Sequence, residues 1–272
     1  MNREAVLETF DRQLRREARP DGAGDRVERV AGVVRHLAAA GGGRTGDGGV
    51  GGGGVADGWS GIVWSGLDDA TADAAIAAQV RYFTDLGREF EWKLYAHDRP
   101  ADLADRLAAA GFVPEPAETL MVAQVADLPT GVDLPEPVHL RPVSTPADVD
   151  LMRDVHDQAF GTDFSALRAS MLTRLAAGRL VAVLALAGDL PVSAARMELH
   201  AGTEFASLWS GGTVPAWRGK GIYRALVAYR TRIAAERGYR YLQVDASDDS
   251  RPILQRLGFH PLTTTIPYVY RP

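Results

Sequence analysis

The stretch Ser207 to Arg237, SLWSGGTVPAWRGKGIYRALVAYRTRIAAER, reads as a strand that passes through a glycine-studded turn into a helix. Leu208 and Trp209 make the piece up to Val214 apolar, and Pro215 stops the strand because it has no amide to give a ladder. Ile222, Leu226, Tyr229 and Ile233 then recur at steps of four, three and four, the spacing of one helical face, and Gly238 is the stop. Arg218, Gly219, Lys220 and Gly221 fall where the helix begins. Unpaired amides and the positive end of the helix dipole converge there, so the turn favours an anion, most simply a phosphate. The glycines let the main chain come close to it, and Arg218 and Lys220 add positive charge.

Counting excludes two common phosphate loops. A P-loop needs Gly-Lys-Ser/Thr preceded by a glycine five residues earlier, but Gly221 follows Lys220 and position 214 is Val214. A dinucleotide fingerprint begun at Gly219 would need glycine where Arg224 stands. The stretch resembles instead the acyl-CoA pyrophosphate loop of the GCN5-related N-acetyltransferases, Arg/Gln-x-x-Gly-x-Gly/Ala after a strand ending in Val-x-Pro. Val214, Pro215, Arg218, Gly219, Lys220, Gly221 and Ile222 match it in order, while Tyr223 stands where the family has a small residue. The resemblance implies acetyl-CoA as co-substrate, held by Thr213, Val214, the residues Arg218 to Tyr223, and Ser250 at the start of the next helix. Trp209 and Trp217 either wall that site or pack in the core.

At 272 residues the chain has room for one large or two medium domains, and its 46% hydrophobic residues suffice for buried cores. The absence of cysteine excludes disulfides, thiolate catalysis and cysteine metal sites, and the six histidines lack the paired spacing of a zinc helix. No metal is expected. A net charge of −5 argues against general nucleic-acid binding and mildly favours a cationic substrate. No apolar run approaches a membrane span, and Glu4, Glu8 and Asp11 spoil any signal-peptide core, so the expected location is the cytoplasm.

In chain order, Val6, Leu7, Phe10 and Leu14 mark an amphipathic helix ended by Pro20, and Arg26 to Leu37 reads as a hairpin turning at Ala31-Gly32. Gly41 to Gly54 holds ten glycines in fourteen residues and reads as a surface loop. A strand over Trp59 to Leu67, a helix over Asp68 to Leu86, a strand over Glu91 to Ala96, a helix over Pro100 to Ala110, Gly111-Phe112 and a strand near Leu120 to Val125 follow. The same order returns from Ser207: strand, helix, a strand over Tyr241 to Asp245, a helix over Ser250 to Leu257, Gly258-Phe259, and a strand over Thr265 to Tyr270. AAAGFVPE and LQRLGFHP are its matching pieces and suggest a duplication. In the first half Ser65-Gly66-Leu67 runs straight to Asp68 and Asp69, good caps that repel a diphosphate.

The expected architecture is α/β (α+β): two tandem acetyltransferase-like domains, each a mixed, mostly antiparallel sheet flanked by helices. Residues 1–128 form a degenerate domain without a cofactor loop, 129–137 a linker with Pro129, Pro135 and Pro137, and 138–272 the acetyl-CoA-binding domain. His139 to Val143 opens that domain as a strand, Asp148 to Phe160 and Phe164 to Ala177 are helices, and Leu180 to Ala187, Val192 to Leu199 and Phe205 to Val214 form a meander, splayed from Tyr241 to Asp245 beside Val214.

By resemblance the reaction moves acetyl from acetyl-CoA to a primary amine of a small molecule or peptide. It needs an oxyanion donor, for which main-chain amides near Val214 are the candidates, and a base, for which Glu198 and Glu204, on adjacent strand ends, and Asp245 compete. The family's acid tyrosine would fall at Leu254, leaving Tyr223, Tyr268 and Tyr270 as substitutes, with Tyr268 the one carried forward. A mycothiol-synthase-like or other acyltransferase, and a non-catalytic module that senses acyl-CoA, are the alternatives.

Overall fold

The computed structural model describes residues 1–20, 22, 24–39, 59–131, 133–161 and 168–272. The glycine-rich stretch Gly41 to Gly54 and the expected helix start at Phe164 lie outside them. The chain forms two compact units. One takes the described residues up to Leu120 together with Leu262–Pro272, the other Met121–Pro261.

In the first unit, α1 (Arg3–Phe10) continues into a π-helical turn at Asp11–Arg16. β1 (Arg26–Val30) and β2 (Val33–Leu37) form the expected hairpin, with positive φ at Ala31 and Gly32 making the tight turn. β3 (Gly61–Ser65) pairs antiparallel with β2 and parallel with β4 (Phe90–Tyr95), α2 (Ala72–Asp85) being the crossover. α3 (Leu103–Ala109) and the short β5 (Val113–Pro114), which has no sequence signal of its own, lead to β6 (Glu118–Gln124). The core gathers Phe83, Phe90, Trp92 and Phe112, with Phe83 stacked on Phe90 at 4.0 Å.

The second unit is an antiparallel meander of β7 (Val138–Pro142), β8 (Leu180–Ala187), β9 (Leu190–Leu199) and β10 (Phe205–Thr213), interrupted after β7 by α4 (Pro146–Phe160) and α5 (Arg168–Ala176). The helix start at α4 is written locally: Thr145 accepts from the Asp148 amide and Asp148 accepts from the Thr145 amide, a capping box with Pro146 just inside. α6 (Ile222–Glu236) crosses from β10 to the parallel β11 (Tyr241–Ala246), and α7 (Arg251–Arg256) follows. The apolar stripe read on α6 is wider than four positions: Ala225, Val227, Ala228 and Ala234 are buried as well, while Tyr229 and Ile233 are half-buried.

Each unit is closed by a strand from the other half of the sequence. β12 (His260–Tyr270) pairs antiparallel with β4, matching Tyr268 to Trp92, and the first unit reads β1-β2-β3-β4-β12. The second reads β6-β11-β10-β9-β8-β7, with Val125 donating to the Arg240 carbonyl. The expected domains 1–128 and 138–272 are therefore redrawn at both ends. The proline-rich 129–137 is not a free linker either: Leu134 packs on the second core, the Pro135 carbonyl accepts from Val138, and the Pro137 carbonyl accepts from Gly188.

Candidate functional site

β10 and β11 share a ladder only over Phe205↔Tyr241, Ala206↔Leu242 and Ser207↔Gln243. At that last rung the Ser207 hydroxyl is held by Gln243 Nε2 at 2.5 Å and His200 Nε2 at 2.6 Å. Beyond it the strands part. β10 also bulges: its register on β9 slips between Trp209 and Gly212, and Ser210 adopts φ 49°. A left-handed serine is costly without support, and His156 of α4 supplies it by donating from Nε2 to the Ser210 carbonyl at 2.7 Å. Burial, and then the charge of Arg196, push His156 down to about 4, so it is neutral at pH 7.

The parted strands and the β10–α6 turn enclose a cavity of about 740 Å³. Pro215–Trp217 form a 3₁₀ turn, and Gly219 (φ 75°) and Gly221 (φ 81°) take left-handed conformations that deliver the chain into α6. The first intrahelical bond runs from the Ala225 amide to the Gly221 carbonyl at 3.1 Å. Among the described residues, none of the amides from Gly219 to Arg224 donates to a main-chain acceptor, and no side chain caps the helix. Gly219, Gly221, Ile222, Tyr223 and Arg224 of this run line the cavity.

The side chains expected around that turn divide. Arg218 does not reach out: Nε donates to the Thr213 carbonyl at 3.0 Å and Nη2 to the Ala159 carbonyl at 2.8 Å, so it ties the turn to β10 and α4. Lys220 lies over the Trp217 ring, 4.4 Å from its centroid. Tyr223 turns away from the amides and packs on β10, where a Cβ at Gly211 would meet its ring at 2.8 Å; burial raises its pKa, so the hydroxyl stays protonated. Thr213 hydrogen-bonds Ser193 at 2.8 Å, and Ser250 bonds Ser247. Thr213, Arg218, Gly219, Gly221, Ile222, Tyr223 and Ser250 line the cavity. Val214 does not: it is packed in the core, and its amide donates to the Val192 carbonyl at 3.0 Å, so it is not an oxyanion donor.

The three expected catalytic side chains are elsewhere. Glu198 is a buried partner of Arg174 at 3.0 Å and Arg196 at 3.8 Å. Glu204 pairs with Arg240 at 3.0 Å. Tyr268 lies in the first unit's core opposite Trp92. Strand-end position suggested the two glutamates, but Arg174, Arg196 and Arg240 claim them. Asp245, buried at the end of β11, is on the cavity wall, as is Arg230 of α6, which the sequence reading passed over. Its signal was a charge four residues beyond Leu226, on the buried face.

The first unit carries the same notch and fills it. β3 bulges opposite Val34 and Arg35 and shares only Gly61↔Glu91 and Ile62↔Trp92 with β4. Arg15 donates to the Val63 carbonyl at 2.9 Å, to both Asp98 oxygens at 2.7 Å and to Asp11 at 2.7 Å, and stacks over Tyr95 at 4.0 Å. At the following turn the Asp68 carboxylate accepts from the Ala70 and Thr71 amides at 3.1 and 2.9 Å and from the Thr71 hydroxyl, which holds its pKa down.

Among the described residues there is no cluster of three or more histidine and carboxylate side chains able to hold a metal ion, and no helix long and apolar enough to cross a membrane. No protein-family model and no curated protein sequence matches the chain. Solved structures do. A GCN5-related N-acetyltransferase from Kribbella flavida is 19% identical, with a TM-score of 0.67 over 98% of this chain and 93% of that one. A tandem protein of the same family from the clavulanic acid biosynthesis pathway, solved without acetyl-CoA, is 13% identical, with a TM-score of 0.63 over 93% and 85%. A functionally unknown conserved protein from Staphylococcus epidermidis is 14% identical, with a TM-score of 0.59 over 79% and 85%.

Proposed function

We propose that this chain, which has the tandem GCN5-related N-acetyltransferase fold, transfers an acyl group from a CoA thioester, acetyl-CoA in the simplest case, to a primary amine. The observation that carries the reading is the run of acceptorless amides from Gly219 to Arg224 at one end of the β10/β11 cavity. A diphosphate there takes up several donors at once and meets the positive end of α6. The thioester arm then follows the gap left where β10 and β11 part.

At the gap, the amine nitrogen attacks the thioester carbonyl carbon. A C–N bond forms and the C–S bond breaks, with the electron pair leaving on sulfur as the CoA thiolate. Main-chain donors on the bulged part of β10, Ser210 to Gly212, stabilise the oxyanion in place of the Val214 amide. Asp245, buried on the cavity wall at the end of β11, takes the amine proton, directly or through water. Tyr223, kept protonated by burial, is the proton donor for the departing thiolate.

A screen of thiol release from acetyl-CoA against polyamines, aminoglycosides, amino acids and peptides tests this reading. Release that rises with added amine is the expected result. Acetyl-CoA binding with no thiol release from any amine would leave a sensing module, and no binding at all would remove the reading.

A further inference from the structure

The far wall of the same cavity carries a positive charge with nothing to balance it. Arg230 sits nine residues into α6 from Gly221, about 14 Å along the helix axis at the usual rise per residue. It is 1% exposed, yet lines the cavity. Nε donates to the Leu226 carbonyl at 3.0 Å and Nη1 to the Arg196 carbonyl at 2.8 Å. No carboxylate pairs with it among the described residues, and Nη2 has no hydrogen-bond partner there. Burial pushes its pKa down to about 10, against an opposing contribution from Tyr223, so the guanidinium is still charged at neutral pH. The two carboxylates on the wall, Asp245 and Asp249, do not relieve it.

A second unsatisfied donor lines the same cavity. Trp209 of β10 lines the cavity, is 8% exposed, and its indole Nε1 is buried without an acceptor. A buried arginine held only by two carbonyls is an expensive arrangement unless something anionic completes it. Packing alone would be served by leucine or methionine at position 230.

We propose that Arg230 receives a carboxylate carried on the acyl group, so that the preferred donor is the CoA monothioester of a short dicarboxylic acid rather than acetyl-CoA. The assignment rests on the CoA reading above and deepens it. The carboxylate is placed on the donor because Arg230 stands on the helix whose N-terminus faces the phosphates, at the depth of the parted strands where the acyl end arrives. The transfer chemistry is unchanged: the thioester carbon passes to the amine, and the distal carboxylate takes no part in bond making.

Calorimetric titration of the whole chain with CoA, acetyl-CoA and succinyl-CoA, repeated on Arg230→Met and Arg230→Lys, separates the outcomes. Succinyl-CoA is expected to bind wild type about tenfold or more tighter than acetyl-CoA, the effect of a charge-assisted hydrogen bond in a buried site. Arg230→Met should erase that preference while acetyl-CoA affinity stays, and Arg230→Lys should keep part of it. If no CoA compound binds, the parent reading fails. If acetyl-CoA binds as well as succinyl-CoA, this inference fails and the parent stands. If Arg230→Met instead raises only the KM of carboxylate-bearing amines with acetyl-CoA, the carboxylate comes with the acceptor, which also overturns it. Should Arg230→Met not fold, the wild-type comparison of the two donors decides alone.

Discussion

The β3–α2 turn and the β10–α6 turn occupy the same place in their units, between two parallel strands that part after a few rungs. In the first, Asp68 supplies its own carboxylate to the turn amides, and Arg15 with Asp98 fills the gap between the strands. In the second, the amides face a cavity and the bulge carbonyl is held from behind by neutral His156. Arg15 and His156 are thus alternative answers to one problem, an unpaired carbonyl on a bulged strand. The charged answer brings its counter-ions into the notch and closes it, whereas the neutral one leaves the notch open. Ligand competence here is a matter of whether the chain itself has already satisfied the donors.

That contrast can be broken at either turn. Arg15→Ala strips buried Asp98 of its cation and should cost the first unit about 3–5 kcal/mol in urea unfolding, with acetyl-CoA affinity untouched. His156 sharpens the other side. Its folded pKa, about 4, is below the ordinary value near 6.5, so the unfolded chain binds the proton first. The stabilising contribution is complete above pH 6.5 and is lost as pH falls toward 4, by up to ~3 kcal/mol, whereas His156→Gln has no such dependence. Unfolding curves of the two at pH 7 and pH 4.5 should therefore converge. Gly221→Asp puts a side chain in a left-handed position and a negative charge against the diphosphate, and calorimetry should show acetyl-CoA affinity falling about hundredfold or more. Lys220→Gln, which removes one exposed cation already resting on Trp217, should weaken it only about threefold.

The turn itself was legible because its determinants are local. Two glycines two apart, a proline stop and a helical stripe need no distant partner, and Gly219 and Gly221 do take the left-handed backbone. Of the two aspartates read as caps in the first half, Asp68 does hold the turn amides ahead of α2, but the N-cap itself is Thr71 and Asp69 pairs with Arg106. Partners far apart in the chain were not. Arg15 meets Asp98 across 83 residues, Arg218 meets Ala159 across 59, and Glu198 is claimed by Arg174 of α5, so their side-chain roles could not be read from spacing. The closing strands failed for the same reason: β12 looks like the end of the second half, but pairs with β4. Alternation marks a strand without naming its neighbour.

A crystal structure of the chain grown with saturating acetyl-CoA tests the central claim most directly. The account predicts one nucleotide per chain, its diphosphate on the amides between Gly219 and Arg224 and its arm between β10 and β11. A diphosphate at the Asp68 turn of the first unit, or an arm outside the β10/β11 gap, would contradict it.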